Sequence, residues 1–152
     1  MNKIITCLLV ALMAFLKEGF AFSHQSSSSS TLHRLMARTI IKMAVSEVTS
    51  TSGLDQVIKD AGNKLVVIDY STTWCGPCKI ALPKFVDLSE KYEDVVFLKC
   101  IGDTSTEASQ LMKREGVRSV PSFHFWKSGS KVEVVNGARI EDVEAAVTAN
   151  KQ

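Results

Sequence analysis

Hydrophobic residues along this chain fall into short blocks with two kinds of spacing. Residues 65–70 and 95–101 are nearly unbroken apolar runs rich in β-branched side chains. Runs of that kind suit strands covered on both faces, where side chains above and below the sheet all meet protein. Between and beyond them the spacing turns helical. Residues 53–62 put Leu54, Val57, Ile58 and Ala61 on one face, and Gly62 and Asn63 stop the pattern. Pro77 stands where a helix can begin, and residues 79–92 keep helical spacing through Ile80, Leu82, Phe85, Val86 and Leu88. Pro83 inside that stretch predicts a kink rather than a stop, since the apolar spacing resumes beyond it. Residues 106–115 read as a helix ended by Gly116, and residues 139–150 as one with Ile140, Val143, Ala146 and Val147 on one side. Residues 122–126 and 131–135 flank Lys127, Ser128, Gly129 and Ser130, a hairpin signature. With a short strand near residues 45–48, the order is β-α-β-α-β-α-β-β-α. It predicts an α/β fold with a central mixed sheet and helices on both faces.

The first third has a different character. Residues 4–16 carry no charge and lie between Lys3 and Lys17. A helix of that length rises roughly 20 Å, too little for a hydrocarbon core of roughly 30 Å. The basic start, the short apolar stretch and the small residues Gly19 and Ala21 are the parts of a secretory signal peptide over residues 1–21. Residues 22–46 then contain the serine run Ser26 to Ser30, His24, His33, Arg34, Arg38 and Lys42, with no Asp or Glu. That composition is typical of an organelle transit peptide, taken here as residues 22–43, with the folded domain over residues 44–152. Signal followed by transit segment, with Phe22 directly after Ala21, resembles the bipartite presequence of algae with four-membrane plastids. The resemblance implies a plastid (stromal) destination; another organelle or the secretory pathway is the alternative.

Charge sharpens this division. The net charge is +2, but residues 1–46 carry five basic side chains against Glu18 alone, while residues 47–152 carry thirteen basic and fifteen acidic ones. The folded part is therefore mildly acidic, which argues against a nucleic-acid footprint. At 152 residues and 45% hydrophobic composition the chain can build one ordinary core. Once the leader is removed, no membrane segment is expected in the mature form.

Chemistry concentrates in one motif, Trp74-Cys75-Gly76-Pro77-Cys78, between a buried strand and a helix. Two cysteines three apart can close a disulfide at a helix N-terminus. Unpaired backbone N–H groups and the helix dipole there favour a thiolate at the first sulfur. Cys75 is thus the expected nucleophile. Cys78, one turn inside, is expected to be buried and to resolve a mixed disulfide. Pro77 stiffens the turn and removes one N–H, so Gly76 and Pro77 tune the redox balance. A zinc knuckle would need two more ligands, and only Cys100 and His124 remain beyond the leader and the motif, each alone in a predicted strand. A purely structural disulfide across so short a loop gains little. Neither a metal nor a bound organic cofactor is called for.

The landmarks Asp69, Trp74 to Lys79, Pro83, Lys99, Val120-Pro121 and Gly137-Ala138 occur in an order that resembles the thioredoxin family across residues 45–150. The resemblance implies the thioredoxin fold and a protein-disulfide reductase that acts on target proteins with reducible disulfides. A thioredoxin reductase, ferredoxin- or NADPH-dependent, would restore the dithiol, and a monomer is expected. It also assigns roles. Asp69 matches the buried carboxylate beneath the dithiol that exchanges a proton with Cys78, and Lys99 the lysine that modulates it. Pro121 matches a cis-proline facing the disulfide, with Val120 offering backbone hydrogen bonds to a bound substrate strand. Trp74, Gly137 and Ala138 match the rim of the substrate groove. Two departures stand out: Ser71 replaces a common aromatic residue, and Cys100 lies slightly before the extra cysteine of plastid f-type proteins, which residues 87–99 resemble. Cys100 reads instead as a small core residue. A redox-silent binding module on the same fold, a secretory-pathway oxidase or isomerase (which usually has His before the second cysteine) and a thiol peroxidase are the competing functions.

Overall fold

In the computed structural model, residues 45–152 are described; the signal and transit segments expected from the sequence lie outside the described residues. The elements are β1 (Ser46–Glu47), α1 (Thr51–Ala61), β2 (Val66–Ser71), α2 (Gly76–Lys91), β3 (Val96–Ile101), α3 (Thr106–Arg114), β4 (Ser122–Lys127), β5 (Ser130–Asn136) and α4 (Ile140–Asn150). They form one five-stranded sheet in the order β1-β3-β2-β4-β5. The β1–β3 and β3–β2 pairings are parallel, and the β2–β4 and β4–β5 pairings are antiparallel. The expected mixed sheet is therefore present, with β2 at its centre.

β2 is buried from Val66 through Tyr70 because both faces are covered. Val67 joins Phe85, Phe97, Phe123, Phe125, Ile140 and Val143 in a core roofed by α2 and α4. Val66, Ile68 and Tyr70 turn the other way, toward Leu54 and Ile58 of α1 and Ala108 and Leu111 of α3. The aromatic rings of the first core stack tilted or edge-on, Phe85 lying 5.2 Å from Phe97 and 5.4 Å from Phe123. Truncating Phe85 to alanine costs about 3–5 kcal/mol for a ring so enclosed.

Helix starts follow local capping. The Ser50 side chain accepts from the Gly53 N–H and caps α1, and Ser105 accepts from the Ala108 N–H and caps α3. The β4–β5 hairpin turns on Ser128 and Gly129 alone, both at positive φ, the geometry that matches strand twist.

One expectation needs correcting. Ile80 does not sit on the buried face of α2; it is 70% exposed. The phase of the helix is set by Cys78, whose side chain faces inward, and steps of one turn from it reach Ala81, Phe85 and Leu88. The helix continues through Pro83, which lies on its exposed side.

Candidate active site

β2 ends at Ser71, and residues 72–75 carry the chain from the sheet to the first turn of α2. Cys75 is the N-cap of that helix, in extended conformation, and Pro77 lies in the first turn, where its missing N–H costs nothing. Cys75 and Cys78 are joined as a disulfide with Cα atoms 5.3 Å apart. The backbone N–H of Cys78 donates to Cys75 Sγ at 3.2 Å. The first sulfur therefore accepts a donor that α2 leaves unpaired, at the positive end of the helix dipole. Both cysteines are buried, whereas Gly76 and Pro77 are exposed and the Trp74 indole is 72% exposed beside them.

Two residues before the end of β2, Asp69 is 1% exposed and its Oδ1 has no hydrogen-bond partner. Burial pushes its carboxyl up to about 7, against the smaller, opposing pull of the Lys99 ammonium. Lys99 lies in register with Asp69 on the neighbouring parallel strand β3.

The other wall comes from a different part of the chain. Tyr70 pairs with Ser122, so the residues leading into β4 lie at the sheet end from which the Trp74–Cys75 loop departs. Those residues are Val120 and Pro121, joined by a cis peptide bond. The Pro121 carbonyl accepts from the Gly137 N–H at 2.9 Å, which brings Gly137 and Ala138 alongside. Gly137 has φ +91°, a conformation that a side chain would strain. Trp74, Gly76, Pro77, Val120, Pro121, Gly137 and Ala138 thus belong to one end of the sheet, with Cys75 and Cys78 at the start of α2. Asp69 and Lys99 lie side by side within the sheet.

The two remaining candidate ligands do not converge. Cys100 and His124 pair with Tyr70 and Ile68 from opposite sides of β2. Among the described residues no group of three or more His, Cys, Asp or Glu side chains could hold a metal ion. Cys100 is fully buried, and its thiol is pushed up to about 11, chiefly by burial and then by Glu47 and Asp69. His124, pushed down to about 4 by burial and by Lys131, packs edge-on against Tyr70 at 4.7 Å between ring centroids.

Two contacts around the site were not anticipated from sequence. The Asp103 carboxylate accepts from the backbone N–H and the hydroxyl of Thr73, and Glu47 on β1 forms an ion pair with Lys99. An Asp after Gly102 signals a turn, but nothing in the pattern points to a partner 30 positions earlier.

Comparison with known proteins gives a consistent set of relatives. The family model for thioredoxin matches residues 44–149. Thioredoxin F2, chloroplastic, of Arabidopsis thaliana is 47% identical over 93 residues, 61% of this chain and 49% of the relative. Thioredoxin F-type, chloroplastic, of Brassica napus is 50% identical over 91 residues, 60% of this chain and 49% of the relative. The chain therefore spans about half the length of these curated relatives. Among solved structures, thioredoxin f2 in complex with ferredoxin:thioredoxin reductase superposes with a TM-score of 0.65 at 42% identity, covering 71% of this chain and 96% of that one.

Proposed function

The chain belongs to the thioredoxin family, and we propose that it is a thiol–disulfide oxidoreductase that reduces disulfides of target proteins through Cys75 and Cys78. The observation that carries this reading is the Cys75–Cys78 disulfide at the N-terminus of α2, with Cys75 Sγ receiving the Cys78 N–H. The same donor and dipole favour the Cys75 thiolate once the pair is reduced. That thiolate attacks one sulfur of a target disulfide, forms a mixed disulfide and expels the other target sulfur as a thiolate. Cys78 then loses its proton and attacks Cys75 Sγ. The Cys75–Cys78 disulfide forms, and the second target sulfur leaves reduced. Two electrons pass to the target.

Asp69 is the group that would take the Cys78 proton, since a carboxyl titrating near 7 can both accept and return it at neutral pH. Lys99 moderates Asp69 by charge. Trp74, Gly76, Pro77, Val120, Pro121, Gly137 and Ala138 would form the surface that receives the target backbone. A redox-silent module is not favoured, because the two cysteines are bonded at the helix start, and Pro77 argues against a secretory oxidase or isomerase.

A reductase must restore the dithiol. The complex of thioredoxin f2 with ferredoxin:thioredoxin reductase supports a reductase of that kind as the partner. Chloroplastic relatives together with the Ser/Arg-rich, acid-poor residues 22–43 support a plastid location, reached through a signal segment over residues 1–21.

The test is insulin reduction with dithiothreitol as electron source. Wild-type protein accelerates it, Cys75→Ser abolishes the acceleration, and Cys78→Ser accumulates mixed disulfides that migrate as adducts without reductant. Undiminished activity in Cys75→Ser would overturn the reading.

A further inference from the structure

Glu47, Lys99 and Asp69 occupy one row across three adjacent parallel strands: Glu47 pairs with Lys99 between β1 and β3, and Lys99 pairs with Asp69 between β3 and β2. In-register neighbours in a sheet point to the same face, with backbones roughly 4.8 Å apart. One ammonium thus stands between two carboxylates, and its flexible stem allows it to turn to either. It turns outward. Lys99 Nζ lies 3.3 Å from Glu47 Oε2, while Asp69 Oδ1 accepts no hydrogen bond. The three side chains grade from the interior to the surface, Asp69 at 1%, Lys99 at 29% and Glu47 at 42% exposure. β1 has only two residues, and the Val48 N–H donates to the Lys99 carbonyl at 2.9 Å, which fixes the strand beside Lys99.

We propose that Glu47 is a positioning residue that holds the Lys99 ammonium at the outer end of this row, away from Asp69. The inference rests on the proton-transfer role given to Asp69 above. Without Glu47 the ammonium would be free to swing inward, pair with Asp69 and favour its ionised form, which would reduce the share of Asp69 that holds a proton to return near neutral pH.

The surroundings isolate this row. From the elements packed against Asp69, β4 brings Phe123 in register, and α2 brings Cys75 and Cys78, which have no titrating proton while bonded. α4 brings Ile140 and Val143, and of its acidic neighbours Glu141 is exposed and Asp142 half-buried, their partners being Lys84 and Arg139. The Cys100 thiol, neutral, sits on the opposite face. Lys99 is the charged group that acts on Asp69.

The experiment follows the Asp69 carboxyl carbon by NMR as a function of pH in the oxidised full chain, a readout that does not require turnover. In wild type the midpoint is expected near 7. Glu47→Gln is expected to lower it by about half a unit or more, as an inward-turned ammonium would, and Glu47→Asp to move it less. Lys99→Met is expected to raise it, and adding Glu47→Gln to Lys99→Met is expected to change nothing further. That last comparison separates positioning from direct repulsion, because removing the Glu47 charge would lower the midpoint in either background if the two carboxylates simply repelled each other. An equal shift with and without Lys99, or no shift in Glu47→Gln, overturns the proposal. Insulin reduction by the wild-type protein, measured alongside, reports on the oxidoreductase reading independently.

Discussion

Asp103 accepts two kinds of donor from Thr73, its backbone N–H at 2.9 Å and its hydroxyl, across 30 residues of chain. The bond joins the loop after β3 to the loop that carries Trp74 and Cys75, and the Gly102 N–H donates to the Ser71 carbonyl at 2.9 Å beside it. The segment leading into the disulfide is thereby held at two points by residues that do no chemistry themselves.

Asp103→Ala should loosen that segment and lower the insulin-reduction rate by about 2–10-fold, since small misplacements of a reacting group are costly. Thr73 holds the Asp103 carboxyl below its ordinary value. The clamp therefore persists in mildly acidic solution and is lost as pH falls through that lowered value. A rate profile from pH 5 to 8 should show the deficit of Asp103→Ala unchanged across the range.

Asp69 should make the oxidised protein less stable as pH rises. Its folded value, about 7, is above the ordinary 3.8, so the folded state binds the proton more tightly. The resulting stability is fully present below about pH 4 and is lost as pH climbs through about 7. A shift of this size corresponds to several kcal/mol, on the order of 4. Denaturant titrations at pH 5 and pH 8 should show the wild type losing stability relative to Asp69→Asn, with the variant the more stable protein at pH 8. Parallel curves at the two pH values would count against a perturbed carboxyl.

Cys100 should be chemically silent in the folded state. Its thiol is enclosed and pushed up to about 11, so almost no thiolate exists at pH 8. Alkylation of reduced, folded protein followed by mass spectrometry should label Cys75 and spare Cys100 until denaturant is added.

Gly102 has a packing reason to lack a side chain. A Cβ there would lie 1.6 Å from Met112 Sδ and 3.0 Å from its Cγ. The atoms in the way belong to the flexible, half-buried Met112 side chain, so Gly102→Ala should displace that side chain at a cost of about 1 kcal/mol or less. The doubly substituted Gly102→Ala, Met112→Ala protein should recover part of that cost, as denaturant midpoints would show.

Much of this molecule was legible in one dimension because the signals are local. A buried strand declares itself through an apolar run such as residues 65–68, and α1 through the spacing of Leu54 and Ile58. Ile80 misled because periodicity alone does not say which of two shifted faces points inward; in α2 the inward-facing Cys78 sets the phase.

The sequence by itself determined the order of strands and helices, the position of the dithiol at a helix start and the likeness to thioredoxin. The first two depend on residues close together in the chain, where propensity and turn chemistry act directly, and the likeness on the order of short motifs from Asp69 to Ala138. Only the tertiary structure decided that Asp69 Oδ1 is left without a hydrogen-bond partner, that Lys99 leans toward Glu47 and that Asp103 grips Thr73. Those outcomes depend on strand register and on loops meeting across the sheet. Such contacts join residues 30 to 52 positions apart, and no local pattern encodes which side chain will face which.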